Sequence, residues 1–441
     1  MRRPAYPVPT AWFAALVAVT GAGLFFWTGT VWWALLALEI ALLVVFLIDA
    51  VACVSPSRID VDREAPEAVT MGEQAELVWV LTNRARRGAR VTMSDALWPS
   101  FAAERRRVSL RLPAGSRMRS RSPFRPTRRG RFPLRDITVR VQGPLRLVGR
   151  QATRAVSGSV RVMPAYPSRD EIARRIRQPR VLEVGLRSIR VSGGGTEFDQ
   201  LRDYRPDDDF KRINWPATVR LGRPIVQQYR AERNQNVVLL LDNGRVMAGT
   251  VGGVPRVEHA MDAVLGMVQA STRMGDRVGL LTFDRQVRSI VPPTNGKGQL
   301  GRAAEAMYQL ESEYSESAYQ VAFATATARF RRRSLYVVLT DLVEGVVDQA
   351  LLPALPILTR RHLVVVAAVQ DPAVRSWAVG ERHEWASDVY REAAAVNAMQ
   401  QRARAVARLR AAGAVVVDAA PGDLAVELVD KYLELKAAGK L

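Results

Sequence analysis

The chain has 441 residues, 48% of them hydrophobic and 24% charged, which is too long for one ordinary domain and too apolar for a disordered one. A single cysteine, Cys53, excludes an intrachain disulfide or a thiol-pair motif, and three histidines without metal-ligand spacing argue against zinc hydrolase chemistry. The formal charge of +21 raises a nucleic-acid reading, but the basic residues are mostly arginine and gather between Arg105 and Arg150, close to an apolar N-terminal stretch where anionic lipid headgroups account for them.

From Ala11 to Val54 the chain reads "AWFAALVAVTGAGLFFWTGTVWWALLALEIALLVVFLIDAVACV". A span needs about 20 apolar residues, so this stretch holds two, with a tight turn near Gly29 and Trp27, Trp32 and Trp33 as an interfacial belt. Residues 1–56 are therefore predicted to be an N-terminal tail and a two-helix transmembrane hairpin. Arg2 and Arg3 before it, and Arg58 and Arg63 after it, put both ends, and with them the soluble domains, on the cytoplasmic side of the plasma membrane. Glu39 falls inside the second span. Its two readings are a functional intramembrane carboxylate and a protonated group bonded within the hairpin or to another copy, the second being favoured because no basic partner lies at that depth.

Residues 57–167 alternate apolar and polar positions in short segments such as "QAELVWVLTN" and "DITVRV", broken by turn formers, which predicts an immunoglobulin-like β-sandwich. Residues 168–235 read as a linker carrying a dense aromatic and charged segment. Residues 236–441 alternate continuous apolar runs with amphipathic helices, the pattern of a doubly wound α/β domain with a parallel sheet. Five runs end at Asp242, Asp284, Asp341, Asp371 and Asp418, and ligands of such sheets bind beyond the carboxyl ends of the strands.

These carboxylates suggest a hard cation held by oxygen, with Asp242 and Asp341 best placed. The pattern resembles the von Willebrand factor A domain, whose metal site implies Asp-x-Ser-x-Ser after the first strand, then a threonine and an aspartate on later loops. Here Asp242 is present, but Gly244 and Val246 replace both serines; Asp341 matches the later aspartate, and no threonine is matched. Magnesium is thus the candidate cofactor, against the alternative that both aspartates cap loops and helix starts. No phosphate loop, dinucleotide glycine pattern or nucleophile elbow is present in the sequence.

The segment "GGGTEFDQLRDYRPDDDFKRINWPATVRLGRPIVQQY", Gly193 to Tyr229, is the most specific element. Together with the hairpin, the sandwich and the degenerate A-type domain it resembles bacterial proteins of the "domain of unknown function 58" family. The matching positions are Glu197, Arg202, Tyr204, Asp207, Asp208, Asp209, Arg212 and Trp215. The three aspartates are expected to start a short helix, Arg202, Arg212 and Arg220 to pair with carboxylates, and Tyr204 and Trp215 to anchor the segment by burial against the A-type domain. "RPIVQQYRAE" is expected to extend that domain's sheet edge. The segment is read chiefly as a structural collar, with a partner-recognition surface as the alternative.

The resemblance implies a partner class, MoxR-type AAA+ ATPases and their client proteins, and no catalytic mechanism. The expectation is a membrane-anchored, non-catalytic adaptor with no nucleic acid and no small-molecule substrate. The rivals are a magnesium-dependent phosphoryl hydrolase using the strand-end aspartates and a basic nucleic-acid binder.

Overall fold

The computed structural model describes every residue except 1–6, 27–30, 178–196, 206–209, 211–212, 231–234, 312–313 and 380–384. It divides into two compact units, Met1–Met163 and Pro164–Leu441.

The first unit begins with strand β1 (Pro7–Pro9) and two apolar helices, α1 (Ala11–Phe26) and α2 (Val31–Ala52). Phe13 stacks on Phe46 at a centroid distance of 4.8 Å, and the Thr20 hydroxyl donates to the Glu39 carboxyl, so the helices run antiparallel. One stretch, Leu36–Arg58, is long and apolar enough to cross a membrane; the apolar stretch Ala11–Gly23 is shorter than a span. Leu43, Leu47 and Ile48 are more than half exposed, which a core helix of a soluble domain would not allow.

Strands β2 (Ile59–Glu64), β4 (Ala75–Asn83) and β7 (Arg117–Phe124) form one antiparallel sheet. A second sheet has the order β1, β10 (Val148–Arg154), β9 (Ile137–Gln142), β5 (Ala89–Asp95), β6 (Arg107–Leu112). Strands β3 (Ala68–Thr70), β11 (Ser159–Met163) and β8 (Gly130–Pro133) make a third, small sheet. The strict alternation of β5, with Ala89, Val91, Met93 and Asp95 all buried, gives one face to a core built around Trp79 and Phe101. Asp95 is tolerated inside because Trp79 Nε1 donates to it at 2.8 Å and Arg63 pairs with it at 2.8 Å.

The helices are clamped to this sandwich. Asp49 is fully buried, and its carboxylate accepts from the backbone amides of Leu145, Leu147 and Val148 in the β9–β10 turn at 2.8–3.0 Å. Gly143 is required beside it, because a Cβ there would stand 2.4 Å from the Asp49 carboxylate. Arg150 donates to the Ala50 carbonyl at 3.0 Å, and the Thr10 amide donates to Leu147 at 2.9 Å, so the start of α1 is held by the same turn.

In the second unit, helix α3 (Arg169–Arg177) is part of the core and not of a linker, since Ile172 and Ile176 pack into the main apolar cluster. Strands β12 (Glu197–Asp203) and β13 (Ile225–Arg230) pair with each other in a separate two-stranded sheet, so the expected extension of the main sheet edge does not occur. Between them lies helix α4 (Trp215–Leu221). Strand β14 (Asn236–Asp242) follows, then a small hairpin of β15 (Thr250–Val251) and β16 (Val254–Pro255). Next come helix α5 (Arg256–Arg273), β17 (Arg277–Phe283), β18 (Val287–Thr294), α6 (Gln299–Met307) and α7 (Tyr319–Arg329). Strand β19 (Ser334–Leu339), β20 (Leu363–Val369), α8 (Ala386–Ala411), β21 (Val415–Ala419) and α9 (Leu424–Ala437) complete it.

The six-stranded sheet has the order β18-β17-β14-β19-β20-β21, parallel except for β18. The five predicted strands are all there; the antiparallel strand β18 was not among them, and it carries Pro292 and Pro293, a proline pair compatible only with an edge. Val237, Leu239 and Leu241 face a core shared with α5 and α9, while Val238 and Leu240 face one shared with α7, which is why β14 is apolar at every position but its ends.

Candidate functional site at the strand ends

Parallel pairing of β14 and β19 matches Leu241 with Leu339, which puts Asp242 and Asp341 on the same edge of the sheet. Both are buried, at 0% and 3% exposure. Asp242 is surrounded by donors. Its Oδ1 accepts from the Gly244 amide at 2.9 Å and from Ser317 Oγ at 2.5 Å; its Oδ2 accepts from the Tyr319 hydroxyl at 2.8 Å and Thr340 Oγ1 at 2.7 Å. Burial pushes its pKa up, opposed by these hydrogen bonds, Ser317 foremost. Burial and the Asp242 charge likewise push the Tyr319 hydroxyl well above its usual range, keeping it a donor.

Gly244 explains the missing serine of the A-domain pattern. A Cβ at this position would lie 2.1 Å from Ser317 Oγ, so the Ser317 hydroxyl, just before α7, takes the space a serine side chain at 244 would need. Ser317 and Thr340, the two aliphatic hydroxyls that donate to Asp242, were not singled out in the sequence, where no threonine was matched to the site. The neighbours of Ser317 in the segment, Ser315 and Tyr314, gave no reason to prefer it.

Asp341 is taken by arginines. Arg402, from the middle of α8, donates from Nη1 to Asp341 Oδ1 at 2.8 Å, and Arg256, from the start of α5, pairs with Oδ2 at 3.2 Å. Arg402 also donates from Nε to Asp418 Oδ2 at 2.9 Å, from Nη2 to Asp418 Oδ1 at 2.7 Å, and from Nη2 to the Val369 carbonyl at 2.9 Å. Burial works against its charge, but the hydrogen bonds it donates to Asp418 and the charge of the Asp341 carboxylate outweigh this and hold the guanidinium above its ordinary pKa. Gly249 makes room for Arg256, since a Cβ there would meet its Nη1 at 2.1 Å. The other two strand-end aspartates are also engaged: Asp284 with Arg288 Nε at 2.5 Å, and Asp371 as the N-cap of Pro372–Ala378, accepting from Ala373 at 2.9 Å.

A hard divalent cation asks for about six oxygen ligands. Here hydrogen-bond donors fill Asp242 and two guanidinium groups flank Asp341, so the arrangement does not fit such an ion. Among the described residues no group of three or more His, Cys, Asp or Glu is placed to hold a metal. Arg402 was missed in the sequence although a signal was there: it shares a helical face with the buried Ala395, Ala405 and Leu409, where an unpaired arginine is not tolerated.

The family segment behaves differently from the expectation. Asp207, Asp208, Asp209 and Arg212 lie outside the described residues, and Glu197 is described only as the first residue of β12. Helix α4 is started by Asn214, whose side chain accepts from the Ala217 amide at 3.0 Å; the short helix expected to follow the three aspartates lies outside the described residues. Arg202 donates to the Asp203 carbonyl and Arg220 to the Pro216 carbonyl, while the Asp203 carboxylate pairs with Arg223 at 3.1 Å. Trp215 is 58% exposed, Phe210 65% and Val219 80%, so the expected burial of Trp215 does not occur. Phe210 bridges Tyr204 and Trp215 at centroid distances of 6.0 and 6.3 Å, forming an exposed aromatic row on the small sheet.

The strand order, with one antiparallel strand beside an otherwise parallel sheet and the acidic residues at one edge, is that of a doubly wound α/β domain, joined to a sheet-rich N-terminal unit. Residues 200–412 match the model of the family described as "Protein of unknown function DUF58". Among curated proteins it is similar to the uncharacterized proteins Rv1480 of Mycobacterium tuberculosis and Mb1516 of Mycobacterium bovis, 26% identical over 184 residues, 41% of this chain and 57% of theirs. The matched segment thus spans little more than half the length of these relatives. Among solved structures it is similar to BatB of Bacteroides thetaiotaomicron, 15% identical over 46% of this chain and all of that one, with a TM-score of 0.30. The von Willebrand factor domain of the Mfa5 pilus tip protein of Porphyromonas gingivalis is 16% identical over 24% of this chain and 38% of that one (TM-score 0.21). The CARDB domain of PF1109 from Pyrococcus furiosus is 14% identical over 24% and 86% (TM-score 0.17).

Proposed function

We propose that this protein is a membrane-anchored, non-catalytic adaptor that docks a MoxR-type AAA+ ATPase or that enzyme's client. The carrying observation is the exposure of Phe210, Trp215 and Val219 within the family segment: large apolar side chains left in solvent in the connection between β12 and β13, among them a tryptophan, a residue type enriched in binding hot spots. The strand-end edge supports the same reading. Its described carboxylates accept from donors of the domain itself, which weighs against a general base or a cation site at that edge. The pocket lined by Asp341, Glu344, Met399 and Arg402 has a volume of about 210 Å³, below the usual range for small-molecule sites of about 300–1,000 Å³. In this reading Arg402 occupies the structural place of a metal and the domain works without magnesium.

The anchor in this reading is α1 and α2 inserted together as a hairpin, with Glu39 accepting a hydrogen bond from Thr20 and both soluble units in the cytoplasm. The test is affinity capture of the tagged full-length protein from detergent-solubilised membranes, beside a Phe210→Ser/Trp215→Ser variant. An AAA+ ATPase enriched with the parent and lost with the variant is the expected result. Recovery of none with either protein would overturn the assignment.

A further inference from the structure

The strand registers sort the sandwich loops onto two ends. Pairing Arg90 with Gln142 and with Arg111, Ile59 with Asn83, and Thr82 with Arg117 puts four connections at one end: 53–58, 84–88, 113–116 and 143–147. This is the end to which Asp49 and Thr10 clamp the apolar helices. Its exposed charges are Arg58, Arg84, Arg86, Arg87, Arg117 and Arg146. Of the carboxylates there, Asp60 pairs with Arg84 and Asp49 is buried beneath the turn amides. Exposed Glu67, Glu73, Glu104 and Asp136 all fall on loops or connections of the opposite end, where they mix with arginine. Leu145, 55% exposed at the tip of the β9–β10 turn, adds an apolar side chain beside Arg146.

We propose that this end of the sandwich is an arginine collar that seats on anionic phospholipid headgroups, so the sandwich rests on the bilayer surface and does not hang from a flexible stalk. The proposal rests on the membrane-anchored reading above. Three observations join to carry it: a helix of spanning length, a rigid clamp that fixes which end of the sandwich meets the bilayer, and a charge set at that end that is cationic while the far end is mixed.

The test is limited trypsin digestion of the full chain in nanodiscs of phosphatidylcholine alone or mixed with phosphatidylglycerol, followed by mass spectrometry. Cleavage at Arg86, Arg87 and Arg117 is expected to slow about tenfold with the anionic lipid and to recover in high salt, while cleavage at Arg105–Arg107 on the far end stays unchanged. In an Arg84→Gln/Arg86→Gln/Arg87→Gln variant, protection at Arg117 shrinks. Equal cleavage in both lipids overturns the collar. Stronger protection by duplex DNA than by phosphatidylglycerol reassigns it to nucleic acid, and release of the protein from membranes by alkaline carbonate brings down the anchoring reading and the collar with it.

Discussion

Arg402 and Asp341, 61 positions apart in sequence, meet at 2.8 Å over the carboxyl edge of the sheet, and the same guanidinium grips Asp418 with two further bonds. A cation covalently attached to helix α8 thus stands among the strand-end carboxylates. Breaking such a buried pair from one side costs about 3–5 kcal/mol, because the partner charges are left in the interior. Arg402→Gln is expected to lose stability on that scale in chemical denaturation, and a further Asp341→Asn/Asp418→Asn change to restore part of it.

The metal question has a direct readout. Magnesium or a chelator is expected to leave the unfolding midpoint of the parent protein unchanged, since a ligand stabilises by RT ln(1 + [L]/Kd) only if the folded state binds it. Replacing both guanidinium groups, as Arg256→Gln/Arg402→Gln, leaves Asp341 and Asp418 uncompensated, and in that variant magnesium is expected to raise the midpoint. A midpoint in the parent that climbs with magnesium would refute the internal-cation account.

Gly244→Ser restores the letter of the A-domain pattern but drives a Cβ to within 2.1 Å of Ser317 Oγ. We expect it to destabilise by about 1–3 kcal/mol, with relief when Ser317→Gly is added. Additive losses in that double-mutant cycle would show that the two positions do not compete for the same space.

Asp262 supplies a pH dependence. It is buried and bonded by the Ser168 amide at 3.3 Å and hydroxyl at 2.8 Å; burial pushes its pKa from 3.8 to about 6, with the Ser168 bonds opposing. A folded pKa above the unfolded one means that the folded state holds more protons between those values. This contribution is therefore full below about pH 4 and is lost as pH rises through about 6, a change of roughly 3 kcal/mol. Asp262→Asn is expected to remove this falling component from the stability profile between pH 4 and 7 while leaving the profile's other slopes in place.

The clamp between helices and sandwich is testable through Asp49. Asp49→Ala strands the amides of Leu145, Leu147 and Val148, three donors with no replacement acceptor, and is expected to cost about 2–4 kcal/mol. Faster hydrogen exchange at those amides, with the rest of the sandwich unaltered, is the signature to look for.

Much of the architecture was legible because burial on both faces writes a strand as an unbroken apolar run: Val237 through Leu241 could be little else. Strand β18 was illegible, since its prolines are acceptable only at an edge, and a single sequence does not say which strand is the edge. The acidic rim was legible as a list of aspartates but not as a network. Whether a carboxylate meets a metal, a hydroxyl or a guanidinium depends on which distant helix turns its face inward. Ser317 and Arg402 arrive from 75 and 61 positions away from their partners Asp242 and Asp341. The family segment misled for a different reason: aromatic and apolar residues are ordinarily buried, and leaving Trp215 and Phe210 in water is a departure that only the pairing of β12 with β13 reveals.

The three amide bonds that Asp49 accepts have a mechanical meaning. Because both the entry to α1 and the exit from α2 are fastened to one β-turn, tilting or rotating the helix pair must swing the whole sandwich like a key bow turned by its shaft. In the membrane-anchored reading, lipid thickness or lateral pressure acting on the helices is passed to the sandwich as torque.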